Sequence, residues 1–243
     1  LSGLLGIGGG IIMAPLLLYL PTFFGYPPFS MKVVAGLTIV QGLAACLSGA
    51  LAHRRFDFVS GRLTLWMGST SFVAALAGGI GTSYVDNQVL LAIFAALALV
   101  AAVLILLPAA ADCDDPELST LTFCRLRAML TAGTVGVLGG MVGQGGSFIL
   151  IPLTRGFVRI PTRIAIGTNM AIVTLSSSAA FLGKAFTGQI AWSLALPIVL
   201  TVVPAAHLGG LASRRVPVAG LRLILAGFIL LAVGRIAVSL MTG

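Results

Sequence analysis

A chain of 243 residues that is 58% hydrophobic and 8% charged, with a mean hydropathy of +1.13, cannot be a soluble domain, where about 25% of residues are charged. A net charge of +8 would suit nucleic-acid binding in a soluble protein, but in a membrane chain basic residues mark the loops kept in the cytoplasm, and nucleic acid is excluded as a partner. The three cysteines, Cys46, Cys113 and Cys124, have neither metal-ligand spacing nor a paired framework, and no nucleotide-binding P-loop is present, so no metal, cofactor or direct ATP coupling is expected.

In chain order, the first segment, Leu1–Leu20, is apolar but carries Gly6-Ile7-Gly8-Gly9-Gly10 ahead of Ile11-Ile12-Met13-Ala14-Pro15. The start at Leu1, without methionine or flanking charge, reads as a natural N-terminus that has been lost. Runs long enough to cross a bilayer, about 20 residues each, follow at Val33–Ala52, Leu63–Tyr84 and Val89–Pro108. Ala110–Arg127 is the longest polar stretch and holds most of the acids. A second glycine segment, Met129–Leu153, carries Gly143-Gln144-Gly145-Gly146-Ser147 ahead of Phe148-Ile149-Leu150-Ile151-Pro152. Three more apolar runs close the chain: Ile164–Gly183, Ala191–Ala212 and Leu221–Leu240.

The chain repeats itself. Gly6–Pro15 falls on Gly143–Pro152 at an offset of 137, and after a shorter loop an offset of 131 places Lys32 on Arg163, Gly36 on Gly167, Thr38 on Asn169 and Gly78-Gly79 on Gly209-Gly210. Two units result, 1–108 and 128–243, joined by a cytoplasmic acidic linker, 109–127. Basic residues decide how they sit. If each glycine segment crosses fully, the 14 Lys and Arg divide seven to seven, which carries no orientation signal. If each is a re-entrant hairpin, the copies become inverted and eleven basic residues share one face, leaving Lys32, Lys184 and Arg235 on the other. The positive-inside bias favours the hairpin. The expected fold is all-α: two inverted repeats, each a Gly-rich re-entrant or broken helix plus three transmembrane helices. Pro15 and Pro152 are expected to end the returning half-helices.

The doubled Gly–Pro signature, with Lys32…Gly36-Leu37-Thr38 and its counterpart Arg163…Gly167-Thr168-Asn169, resembles the TauE/SafE sulfite-exporter family over nearly the whole chain. The resemblance implies a multi-pass permease of the cytoplasmic (inner) membrane that moves a small anion such as sulfite or an organosulfonate. The sequence carries no signal for oligomeric state, and beyond the solute only lipid is implied as a partner.

Glycine weakens a helix by about 1 kcal/mol relative to alanine, and a broken backbone survives in hydrocarbon only where protein or a water-filled cavity satisfies it. Paired breaks at matching places are the sequence mark of a transporter's binding site. A half-helix starting after Gly10, and another at Ser147, would aim free N–H groups and the positive dipole end at an anion. Gly8, Gly9, Gly10, Gly145 and Gly146 are therefore candidate binding residues, with the neutral side chains of Thr38, Gln41, Gln144, Ser147, Thr168 and Asn169. The same threonines and asparagine could instead hold helices together, and Ser176-Ser177-Ser178 read as close helix packing. Lys32, Arg163 and Lys184 are candidates for mouth electrostatics, drawing or releasing anions, or else interfacial anchors. His207 is a candidate proton carrier. All six acids lie in loops, and potential-driven efflux needs none of them. No catalytic residue is expected. The competing readings are an intramembrane hydrolase built on Ser147 with His53 or His207, and a non-transporting assembly subunit.

Overall fold

A computed structural model of the chain describes residues 10–52, 60–106, 123–158, 160, 162–212, 227 and 229–236. All regular structure among them is helical. The helices are α1 (Gly10–Phe23), α2 (Met31–Ala52), α3 (Gly61–Gly81, extended by a 3-10 turn Thr82–Tyr84), α4 (Asn87–Leu106), α5 (Arg125–Val142), α6 (Ser147–Gly156), α7 (Thr162–Phe186) and α8 (Trp192–Ala212), with residues 229–236 helical as well. α1 and α6 are short, at 14 and 10 residues, whereas α2, α3, α4, α7 and α8 have 20 to 25, enough for about 30 Å or more at 1.5 Å per residue. Gly61–Tyr84 has a mean hydropathy of 1.4 with only 39% buried inside the protein. Its outer surface is apolar: Leu65 and Val73 on α3 are exposed, as are Leu196 and Leu200 on α8. A surface of that kind is made for lipid.

Helix starts keep the spacing read from the sequence. Gly10 and Ser147 lie 137 residues apart; Met31 and Thr162, and Gly61 and Trp192, lie 131 apart. Pro15 and Pro152 do not end their helices. α1 continues to Phe23 through Pro15 and Pro21, and α6 continues to Gly156. The cost of a missing N–H is confined to one carbonyl, and neighbouring elements in a membrane bundle can absorb it.

α3 is the centre of the molecule, and its most extensive contacts are with α5 and α7 rather than with its own neighbours in sequence. Small residues make this possible. A Cβ at Gly136 would sit 2.9 Å from the Ser71 carbonyl oxygen, and one at Gly140 would sit 2.9 Å from Ala75 Cα. Toward α7, a Cβ at Gly79 would lie 2.8 Å from the Ala180 carbonyl oxygen, and one at Gly183 would lie 2.9 Å from that of Leu76. The α3–α5 pairs rise together along the chain, and Ser60 meets Thr168 near the start of α7 while Thr82 meets Lys184 near its end, so α3, α5 and α7 run parallel. α2 runs against them: Lys32 near its start donates to the Ser83 carbonyl at 3.1 Å, and Gly36 abuts the Gln189 carbonyl beyond the end of α7. α2 and α7, the two helices whose starts lie 131 residues apart, are therefore antiparallel.

The core divides accordingly. Leu63, Met67, Ala101, Ala128, Ala132, Ile164 and Ile229 cluster at the end where α3 begins, whereas Ala14, Leu18, Met31, Leu90, Phe94 and Ile236 cluster where it finishes. A third cluster, including Leu37, Ala75, Ala180 and Ala195, joins α2, α3, α7 and α8.

Candidate functional site

The second glycine signature is a turn that reverses the chain. α5 ends on Gly143, whose φ of 78° is left-handed and whose N–H bonds back to the Gly139 and Gly140 carbonyls. Gly145 and Gly146 follow at φ 60° and 75°. Glycine enters this region at no steric cost, unlike residues with a side chain. Space makes the same demand: a Cβ at Gly143 would overlap the Ala35 carbonyl of α2, one at Gly145 the Ser177 hydroxyl, and one at Gly146 the Val135 side chain. Gly146 also fills the space beside Gly139, so the chain has already doubled back along α5. α6 completes the reversal. At its far end the Phe157 ring lies 5.7 Å from the Arg127 guanidinium, near the start of α5. α5 and α6 are thus two arms of one hairpin, about 27 Å and 15 Å long at 1.5 Å per residue. The start of α6 lies near the middle of α3, because Gly146 folds back beside Val135 and the adjacent Gly136 abuts Ser71 and Ala74, while α5 itself runs on to Met141 beside Thr82 at the end of α3.

The first signature meets the second here. Gly10, the first residue of α1, packs on the Gln144 side chain, where a Cβ would sit 3.2 Å from Cγ and 3.6 Å from Oε1. α1 and α6 therefore begin close together and diverge. α6 leads toward Arg127, and α1 leads the other way, to Tyr19, whose ring lies 5.6 Å from the Arg235 guanidinium. Gln144 is 5% exposed, yet among the described residues neither end of its carboxamide has a hydrogen-bond partner. The N-cap of α6 is Gly146, and no side chain caps it.

The remaining candidates divide between this junction and the scaffold. Ser147 is the first residue of α6, where the sequence places the start of the half-helix, and its hydroxyl donates to the Gln144 carbonyl at 3.4 Å. Thr38 is fully buried one turn beyond Ala35 and donates back to Val34 (2.9 Å) and Ala35 (3.3 Å). Gln41 is buried one turn further along α2. Thr168 accepts the Ser60 N–H at 3.1 Å, tying the start of α7 to the start of α3, away from the glycine loop. Asn169 is 4% exposed with an unpartnered Oδ1. Ser176, assigned to packing from sequence, instead donates to the Gly145 carbonyl at 3.1 Å and holds the loop. Gly8, Gly9, His53, the linker 109–122 and the side chains of Arg163 and His207 lie outside the described residues.

Lys32 is partly buried, with its ammonium on the end of α3. Lys184 is not at an open mouth. It is completely buried, and its ammonium donates to Thr82 Oγ1 (3.0 Å), the Met141 carbonyl (3.1 Å) and Gln189 Oε1 (3.4 Å). α7 continues through it to Phe186, carrying the lysine into the bundle.

The family model described as "Sulfite exporter TauE/SafE" matches residues 1–236. The chain belongs to the TauE/SafE family. Among relatives of this TauE/SafE protein, the probable membrane transporter protein YunE of Bacillus subtilis is 25% identical over 227 residues, covering 86% of this chain and 81% of the relative. A probable membrane transporter protein of Xylella fastidiosa is 26% identical over 213 residues, covering 88% and 80%. MJ0441 of Methanocaldococcus jannaschii, also named a probable membrane transporter protein, is 22% identical over 183 residues, covering 73% and 64%. No solved structure matches the chain. The TauE/SafE assignment makes the protein a membrane transporter, with a small-molecule substrate and a lipid environment.

Proposed function

We propose that this transporter moves a small anion, sulfite or an organosulfonate, across the cytoplasmic membrane through a site between the two glycine signatures. The observation that carries the proposal is the meeting of Gly10 and Gln144: two half-helices begin together near the middle of the bundle, beside a buried carboxamide with no partner. Helix starts favour negative charge through their N–H groups and dipoles. A buried amide without a hydrogen bond is costly unless a solute supplies one. In this reading Gly8, Gly9, Gly10, Gln144, Gly145, Gly146 and Ser147 line the site. Thr38 and Gln41 back it from α2 and Asn169 from α7, whereas Thr168 belongs to the scaffold that joins α7 to α3.

The same reading takes the units 1–108 and 128–243 as inverted repeats around the linker 109–127, with six crossings and two hairpins. Several facts support it: the spacing of helix starts at the sequence offsets of 137 and 131, the antiparallel pair α2 and α7, the reversal of α5–α6, and the divergence of α1 from α6. Arg62, Arg125 and Arg127 then share the cytoplasmic end with the starts of α3, α5 and α7, in keeping with the positive-inside bias. The end bearing Lys32, Lys184 and Arg235 faces outward. Family membership weighs against a hydrolase built on Ser147.

Flux into liposomes reconstituted with the purified chain tests the proposal, using sulfite, sulfate, thiosulfate, sulfoacetate and taurine under an imposed potential. Saturable flux of at least one sulfur oxyanion that responds to the sign of the potential is expected. Absence of any anion-selective flux overturns it.

A further inference from the structure

Lys184 takes no part in the site as described, yet it is a fully buried cation whose partners are all neutral oxygens. An ammonium removed from water is costly, so something in the fold must repay it. Its surroundings supply the reason. Thr82 is the C-cap of α3, Met141 is the penultimate residue of α5, and Lys184 lies in the last turn of α7. These three parallel helices finish at one level, and each helix end carries about half a negative charge in unsatisfied carbonyls. Three such ends side by side would form a negative collar around the tip of the α5–α6 hairpin. Met141, which accepts from Lys184, lies three residues before Gln144.

The hydrogen-bond partners suit the charged form of the side chain. An ammonium has three N–H groups and no acceptor, and three acceptors surround it. Thr82 Oγ1 is free to accept because its own proton is directed to the Gly78 carbonyl (2.9 Å) or the Met141 carbonyl (3.1 Å). Lys32 adds a second ammonium on the neighbouring Ser83 carbonyl, while Asp86, two residues past the 3-10 turn, is exposed.

We infer that Lys184 sets the charge selectivity of the pathway, by cancelling the negative ends of α3, α5 and α7 so that an anion can approach the glycine loop from that side. It is a positioned charge rather than a ligand, acting through a low-dielectric interior where fields reach farther than in water. The inference rests on the anion reading above and adds a specificity determinant to it.

The experiment compares the full-length parent with Lys184→Met, Lys184→Arg and Thr82→Val in liposomes, reading the ratio of anion to rubidium flux for whichever sulfur anion the parent carries. Lys184→Met is expected to lower that ratio about tenfold or more, the scale of one unit charge acting over roughly 10 Å in a protein. Lys184→Arg keeps the charge and is expected to retain the ratio. Thr82→Val removes a hydrogen bond but leaves the ammonium, so it is also expected to retain the ratio. A folded, monodisperse Lys184→Met with the parental ratio overturns the inference. So does a Thr82→Val variant whose ratio collapses, an outcome readable even if Lys184→Met does not fold. A parent without anion flux defeats the anion reading itself, whereas parental anion flux with an insensitive ratio defeats only the role of Lys184.

Discussion

At Gly25 and Gly143 the backbone adopts the same left-handed turn, at φ 77° and 78°, but in opposite surroundings. Nothing lies within 4 Å of a Cβ at Gly25, whereas one at Gly143 would run into the Ala35 carbonyl. Gly25→Ala is therefore expected to cost about 1 kcal/mol, from backbone strain alone. Gly143→Ala should cost about 3 kcal/mol, because overlap adds to the strain. Thermal unfolding in detergent would measure both, and equal losses would mean that the tip is not wedged against α2. Gln144 inverts this logic. Its carboxamide is buried without a partner, a condition that costs about 1–3 kcal/mol. Gln144→Leu is expected to leave the protein as stable as the parent or more so, while anion flux falls at least about tenfold, a trade familiar at binding sites. A destabilised variant with intact flux would make Gln144 a packing residue. The sequence made the glycines and Gln144 conspicuous because they interrupt an apolar run. It could not reveal Ser176, whose hydroxyl reaches the Gly145 carbonyl 31 residues away and looks locally like any helix serine.

Between elements, the informative feature is the α5–α6 reversal. Sequence placed the break correctly because three left-handed residues within four positions, 143, 145 and 146, require glycines. It did not separate a hairpin from a kinked crossing, since that depends on where Phe157 lands relative to Arg127, a tertiary contact. Helix ends were harder still. Prolines that look like stops sit inside α1 and α6. Lys184 looks like an anchor at the edge of an apolar run, but two of its acceptors are 43 and 102 residues distant. If the hairpin is re-entrant, single cysteines replacing Arg127 and Phe157 in a cysteine-free background should react with an impermeant thiol reagent from the same side of the membrane. Labelling from opposite sides would establish a broken crossing helix instead.

For the molecule as a whole, inverted repeats make a prediction about sidedness. Tyr84 follows the end of α3 and Phe186 ends α7, and both are highly exposed. Cysteines at these two positions should react from outside intact cells, whereas those at Arg127 and Phe157 should react only after permeabilisation. Labelling of all four from one side would rule out the inverted arrangement. The offsets read in the sequence, 137 and then 131 residues, return as the spacing of helix starts. The partnership across it was not, because the pairing of α3 with α5 and α7 is written in glycines and alanines that read individually as ordinary apolar filler.

That pairing also bears on biosynthesis. α3 leaves the ribosome before either of the helices that its Gly78 and Gly79 admit, Gly78 against Val137 of α5 and Gly79 against Ala180 of α7. Until those helices emerge, the leading half is a set of inserted rods with grooves and nothing seated in them. Closure of the bundle therefore waits for the second half of the chain, and a nascent chain halted before Arg125 is expected to leave those grooves open.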